Sequence, residues 1–282
     1  MVVLSLFDGL SAGMIALEKA GIVPSCYMSS EIDKYAIQVS NNNYPDHLRL
    51  GDVINWKDWG LDWENIDLVL AGSPCQGFSL QGKQLGFDDP RSVLYFTFLD
   101  ILNYVKLHNP KVKFLLENVR MKKEYLQVIT DGVGVSPLSV NSNLLSAQNR
   151  LRYYWSNVEL TSPIAMSIDF RTVITDPGFF PATTRKGDPR KVIFTGEKFG
   201  CLTASYYKGI RADGRPAASS SEGIFDVLRD DKCVRMLTPV ECERLQTIPD
   251  NYTEGVSNTQ RYKMLGNSWT VDVISHFLKD FI

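Results

Sequence analysis

Five cysteines in 282 residues, odd in number and with no C-x-x-C pair among them, provide neither a disulfide framework nor a zinc site. Cys26, Cys75, Cys201, Cys233 and Cys242 are therefore read as reduced thiols. No run approaches the roughly 18 apolar residues of a membrane span, and the opening MVVLSLFDG lacks a basic leader and a small-residue cleavage site. The expectation is a cytoplasmic chain with no membrane partner and no metal. Low-complexity tracts and internal repeats are also missing, and 44% hydrophobic with 22% charged residues is the composition of an ordinary folded chain. A general excess of positive charge is absent too, since the formal net charge is −2. That excludes a chain basic all over but leaves room for a local basic face. From Leu151 to Arg215 ten Lys and Arg stand against six Asp and Glu, a surplus of four cations, which leaves the rest of the chain at −6.

What is present is an alternation of short apolar runs with helix-like stretches. Val2–Phe7 precedes Met14–Ala20, Ser25–Ser30 precedes Lys34–Asn41, Asp67–Ala71 precedes Leu94–Val105, and Lys113–Leu116 precedes Glu124–Thr130. Such alternation predicts an α/β fold whose mostly parallel sheet is covered on both faces. After Trp155 the pattern dissolves into punctuation such as Asp176-Pro177-Gly178 and Arg185-Lys186-Gly187-Asp188-Pro189, with short β-like pieces such as Lys191–Thr195. The chain thus divides into a large domain, 1–155 with 235–282, and a small irregular domain over 156–234. Thr238-Pro239-Val240-Glu241 is spelled as a helix start, with a capping Thr, a first-turn Pro and Glu three residues after the cap. Thr270–Ile282 reads as a final amphipathic helix.

The first strand runs into Phe7-Asp8-Gly9-Leu10-Ser11-Ala12-Gly13, a tight glycine-bearing turn of the kind that binds nucleotide-like ligands in open α/β sheets. Ser11 stands where the dinucleotide fingerprint has its second glycine, and Asp8 adds negative charge where a pyrophosphate would sit. S-adenosylmethionine carries no phosphate and has two cationic groups, so a nearby carboxylate favours it. Glu31, about 20 residues on and closing the second strand, is placed to accept from ribose hydroxyls. Asp52, after the third strand, is placed to accept from an adenine amino group. Singly, each of these is a cap or turn residue; together, each at the C-terminal end of a strand, they outline a cofactor site.

Ser73-Pro74-Cys75-Gln76 follows the fourth strand, on the edge that carries those carboxylates, and Leu115-Leu116-Glu117-Asn118-Val119 ends the fifth. A lone buried cysteine is usually a small hydrophobe, and Glu117 alone is equally a cap or an ion-pair partner. The ordered set Pro74-Cys75-Gln76, Glu117-Asn118-Val119, Gln148-Asn149-Arg150-Leu151-Arg152-Tyr153 and Gly266-Asn267-Ser268 resembles the DNA cytosine-5 methyltransferases. Arg244-Leu245-Gln246-Thr247-Ile248-Pro249-Asp250 is similar to a further motif of that family. The segment Gly82-Lys83-Gln84 to Asp89-Pro90-Arg91 resembles the catalytic loop of prokaryotic or phage enzymes, whereas Leu4–Gly9 and Leu265–Trp269 look more like the de novo DNA methyltransferases of animals.

The resemblance implies a Rossmann-like S-adenosylmethionine-dependent sheet with a small target-recognition domain, acting as a monomer on double-stranded DNA. Its reaction would be transfer of a methyl group to carbon 5 of a flipped cytosine. In that reading Cys75 adds to carbon 6, Glu117 engages the base, and Arg150 and Arg152 hold the ring oxygen, Cys75 or a phosphate. The cofactor residues implied are Phe7, Asp8, Gly9, Leu10, Gly13, Glu31, Ile32, Asp52, Val53, Pro74, Leu94, Asn267, Ser268 and Trp269. DNA would be met by Gln81, Lys83 and Arg91 of a closing loop and by Arg185, Lys186, Lys198, Thr203 and Lys208 of the small domain, with Tyr206 beside them. Two alternatives stay open: a tRNA cytosine-5 methyltransferase of the same fold, whose Cys-Phe-Thr signature is not found in this sequence, and a non-catalytic relative, which usually loses the nucleophile.

Overall fold

The apolar runs become strands, and most of them are buried from both sides. Leu4 and Leu6 of β1 (Val2–Leu6), Leu68, Val69 and Leu70 of β4 (Leu68–Gly72), and Phe114, Leu115 and Leu116 of β5 (Lys113–Val119) are fully inaccessible. Runs without inside-outside alternation are what a parallel sheet sandwiched by helices requires. β2 (Cys26–Ser30), β3 (Leu48–Gly51), β6 (Leu138–Asn141) and β7 (Leu151–Ser156) complete a seven-stranded sheet in the order β3-β2-β1-β4-β5-β7-β6. The pairs from β3 through β5 are parallel, and β7 lies antiparallel on β5. This computed structural model describes residues 1–73, 93–175, 198–208 and 236–281.

Between the strands lie α1 (Ala12–Lys19), α2 (Lys34–Asn43), α3 (Val93–His108) and α4 (Lys123–Val133). The carboxylate of Asp33 caps α2 by accepting from the backbone of Tyr35 and Ala36. Gly134, at φ 78°, ends α4 in the left-handed conformation open to glycine at little cost. Tyr95, Phe98, Ile101, Leu102 and Val105 of α3 are fully buried in the apolar core with Phe114, Leu116 and Trp155 of the sheet.

The chain packs as two units. The first, Met1–Val140, Leu151–Ser162 and Val273–Ile282, holds the sheet. The second, Asn141–Arg150 and Pro163–Asp272, contains α5 (Pro239–Leu245) and α6 (Asn258–Asn267). α7 (Val271–Leu278) runs from the second into the first. Within the second unit Phe170 stacks on Phe199, and Phe199 meets Tyr206, which meets Tyr262. The helix start at Thr238 forms as its spelling predicts: Thr238 and Glu241 make a reciprocal capping box with Pro239 in the first turn. The antiparallel strand β7 is new relative to the sequence pattern, where Leu151–Tyr153 appears only inside a motif. Lys191–Thr195 lies outside the described residues. Among those described, no helix is long and apolar enough to cross a membrane.

Candidate active site

Strand order reverses between β1 and β4, the switch point at which open α/β sheets bind ligands beyond their strand C-termini. The turn leaving β1 there is strained. Phe7, Gly9 and Ser11 have φ of 57°, 58° and 65°, so two of three left-handed residues are not glycine. Each such residue costs on the order of 1 kcal/mol or more, and such strain is concentrated at functional sites. Ser11 occupies the left-handed position just before α1.

Glu31 follows β2 and holds this turn from outside. Its Oε2 accepts from the Gly9 N–H at 2.8 Å, and its Oε1 accepts from the N–H groups of Ile32 and Asp33, each at 2.8 Å. Asp52 follows β3 and accepts from the Ile54 N–H at 3.1 Å through one oxygen. Ile32 stands 70% exposed beside Glu31, and Phe7 and Leu94 are partly buried against the core. Leu10, Gly13 and Val53 are buried. Asp8 departs from its expected part. Its carboxylate points inward, accepting from Ser5 and Tyr27 on Oδ1 and from Ser11 on Oδ2, all at 2.6 Å. Burial raises its pKa, the three hydroxyls oppose that rise, and the charge of Glu31 adds to it. Asp8 thus organises the turn from beneath. Ser5, Ser11, Tyr27 and Ser40, which form this network, were not singled out for it from the sequence; their only signal is small hydroxyls recurring at otherwise apolar positions.

On β5, Glu117 lies opposite Gly72 of β4 and Tyr154 of β7. Arg152, two residues along β7 from Tyr154, places its Nε 2.9 Å from the Glu117 carboxylate, so the two form a diagonal cross-strand pair. Asn118 is buried and donates to the Ser73 hydroxyl at 3.0 Å, joining the C-terminal ends of β4 and β5. Ser73 is the last described residue before Pro74 and Cys75; Pro74, Cys75, Gln81, Lys83 and Arg91 lie outside the described residues.

In the second unit, three of the sequence motifs meet in one polar network. Gln148 Nε2 donates to the Leu245 carbonyl and to Gln246 Oε1, and Gln246 Nε2 donates to the Leu265 carbonyl. Both glutamines are fully buried, so every partner matters. Gly266 lies so close to Thr203 and Ala204 that a Cβ there would overlap their backbone. Arg150 corrects an expectation. Its guanidinium is 3% exposed and donates to the carbonyls of Leu202 at 2.8 Å, Gly266 at 3.1 Å and Ser268 at 2.7 Å. Bonded to these three carbonyls, the guanidinium braces this unit from within.

The other expected contacts divide. Asn267 is exposed, Trp269 half-buried, and Ser268 buried with its carbonyl on Arg150. Lys208 is exposed, Thr203 is half-buried beside Ser205, and Lys198 donates to the Ser146 carbonyl at 3.0 Å. Tyr206 is a core residue, 3% exposed, whose hydroxyl accepts from the Leu237 N–H. Arg185 and Lys186 lie outside the described residues.

The chain is similar in sequence and in fold to known proteins. The chain is 30% identical over 315 residues to the type II methyltransferase M1.ScrFI of Lactococcus lactis, covering 96% of this chain and 75% of that protein. It is also 30% identical over 312 residues to the type II methyltransferase M.NlaX of Neisseria lactamica, covering 96% and 93%. In fold it superposes on the methyltransferase EhMeth of Entamoeba histolytica with a TM-score of 0.72 and 17% identity, over 99% of this chain and 97% of that one. The family model for C-5 cytosine-specific DNA methylases matches residues 1–149 and 190–282. With this match across most of its length, the chain belongs to the C-5 cytosine-specific DNA methylase family.

Proposed function

We propose that the chain transfers a methyl group from S-adenosylmethionine to carbon 5 of a cytosine flipped out of duplex DNA, through a covalent Cys75 adduct. The observation that carries this reading is that Glu31, Asp52 and Glu117 all lie at strand C-terminal ends around the β1/β4 switch point. Cys75 is two residues beyond Ser73, which Asn118 ties to the Glu117 strand. In this reading the thiol acts beside Glu117, which a separation of two residues, at most about 7 Å of chain, allows.

The donors and acceptors suit this cofactor. Glu31 is a pre-oriented acceptor for ribose hydroxyls, and the Asp52 oxygen that does not cap the next turn faces an adenine amino group in this reading. Ile32, Phe7 and Leu94 offer apolar surface for the ring. When bound, S-adenosylmethionine supplies the electrophilic methyl group. The chain supplies the rest: the Cys75 thiolate bonds to carbon 6, electron density moves toward carbon 5, and Glu117 at the ring nitrogen and amino group stabilises that charge shift. Arg152 fixes the Glu117 carboxylate for this task. Loss of the carbon-5 proton then lets the sulfur leave as thiolate.

Target choice belongs, in this reading, to residues 156–234, with Arg185, Lys186, Thr203 and Lys208 toward DNA, while Gln81, Lys83 and Arg91 close over the flipped base. Lys198 acts from its seat on Ser146, and Asn267, Ser268 and Trp269 serve the cofactor. The chain works as a monomer in the cytoplasm, without a metal. Incorporation of labelled methyl into duplex DNA and into tRNA, measured side by side, tests the proposal. Label in duplex DNA alone is expected, and label in tRNA alone overturns it.

A further inference from the structure

Asp8 is a carboxylate in the wrong place for a surface turn residue. It is 8% exposed, has no cation among its hydrogen-bond partners, and is held by hydroxyls from three directions: Ser5 of β1, Tyr27 of β2 and Ser11 of the turn itself. Ser11 in turn bonds to Ser40 of α2. Ser5, Ser11 and Ser40 are at most 1% exposed and Tyr27 is 4% exposed, so the whole chain of hydroxyls is sealed from water. A buried charge without an ion-pair partner is costly and is retained only where the surroundings fix it. Here it anchors the backbone between two left-handed residues, Phe7 and Ser11, whose strain would otherwise relax.

We propose that Tyr27 is a positioning residue for the cofactor turn: its hydroxyl, acting with Ser5 and Ser11 on Asp8, holds Phe7–Ser11 in the strained form that presents Gly9 to Glu31. The inference rests on the reading that this turn receives S-adenosylmethionine. The Tyr27 ring is stacked on His47 at 4.4 Å between centroids, and His47 on Tyr44 at 4.7 Å. Tyr27→Phe therefore keeps the ring packing and removes only the hydroxyl. Among the described residues, the charged and titratable groups around Asp8 are Tyr27, Glu31 and Tyr44, with His47 stacked behind Tyr27. Of these, Tyr27 lowers the Asp8 pKa by hydrogen bonding, so its loss moves protonation of Asp8 to higher pH.

Calorimetric titration of the full chain with S-adenosylmethionine across the acid range tests this. Y27F is expected to bind about 10-fold more weakly, the scale of one hydrogen bond to a charged group, and the pH at which binding fails on acidification is expected to rise. Wild-type affinity and an unmoved acid limb in Y27F overturn the positioning role. A wild-type chain that does not bind S-adenosylmethionine overturns the cofactor reading itself. Should Y27F not fold, S5A, which removes the other donor to the same oxygen, is read by the same two outcomes.

Discussion

Arg152 Nε lies 2.9 Å from the Glu117 carboxylate, and each side chain is only 12% exposed. The pair sits beside the junction at which Asn118 donates to Ser73, two residues before Cys75 in the chain. Removing the cation would leave a nearly buried carboxylate without this ion pair, which costs about 3 kcal/mol in such positions. Arg152→Met is expected to lower stability by that order in urea denaturation. Arg152→Lys should recover part of it, since the charge returns without the planar guanidinium. A Met variant as stable as wild type would show that the pair does no structural work.

Glu117→Gln separates chemistry from fold. The amide keeps an acceptor for Arg152 but loses the charge proposed to act on the base. Methyl transfer is expected to fall about 100-fold or more, with the thermal unfolding midpoint moved by only a few degrees. A variant that transfers methyl at the wild-type rate would remove Glu117 from the mechanism.

Gly266→Ala tests the close approach in the second unit. The new methyl group would overlap the backbone of Thr203 and Ala204, and a main chain cannot yield as a side-chain tip can. Overpacking of this kind costs about 1–3 kcal/mol or more, so a lower melting temperature is expected. An unchanged melt would mean that residues 203 and 204 move aside freely.

These sites show which parts of the molecule the sequence makes legible. The Thr238–Glu241 capping box involves residues three apart, so local spelling suffices to find it. The places of Glu31, Asp52 and Glu117 at strand ends are legible because strand and helix periods locate those ends, and parallel strands bring them to one edge. Arg150 was misread because its partners, Leu202, Gly266 and Ser268, lie 52 to 118 residues away and are backbone carbonyls with no residue signature. The role of Tyr27 and the inward turn of Asp8 are hidden for a similar reason: a polar group turned into the core looks, in sequence, like one turned out. β7 is hidden because its alternation is short and is interrupted by Arg152, which pairs with Glu117.

Acid sensitivity should report on His47, which is held between Tyr27 and Tyr44. Burial and the nearby Arg49 charge lower its pKa to about 4, against a slight opposing effect of Asp46. A depressed folded-state pKa contributes stability that is fully present above the unfolded value of 6.5 and is lost as pH falls through about 4. Partial exposure reduces the effect to on the order of 1–2 kcal/mol. His47→Phe keeps a stackable ring and removes the titration, so denaturation midpoints measured between pH 7 and pH 4 should fall less steeply than in wild type. Parallel pH profiles would rule out a neutral, stacked His47.

The proposed reaction is tested most directly by bisulfite sequencing of genomic DNA from cells expressing the wild-type chain or its Cys75→Ala variant. Cytosines that resist conversion at one recurring sequence, in wild-type samples only, are the predicted result. Complete conversion in both samples, or equal protection in both, would contradict it.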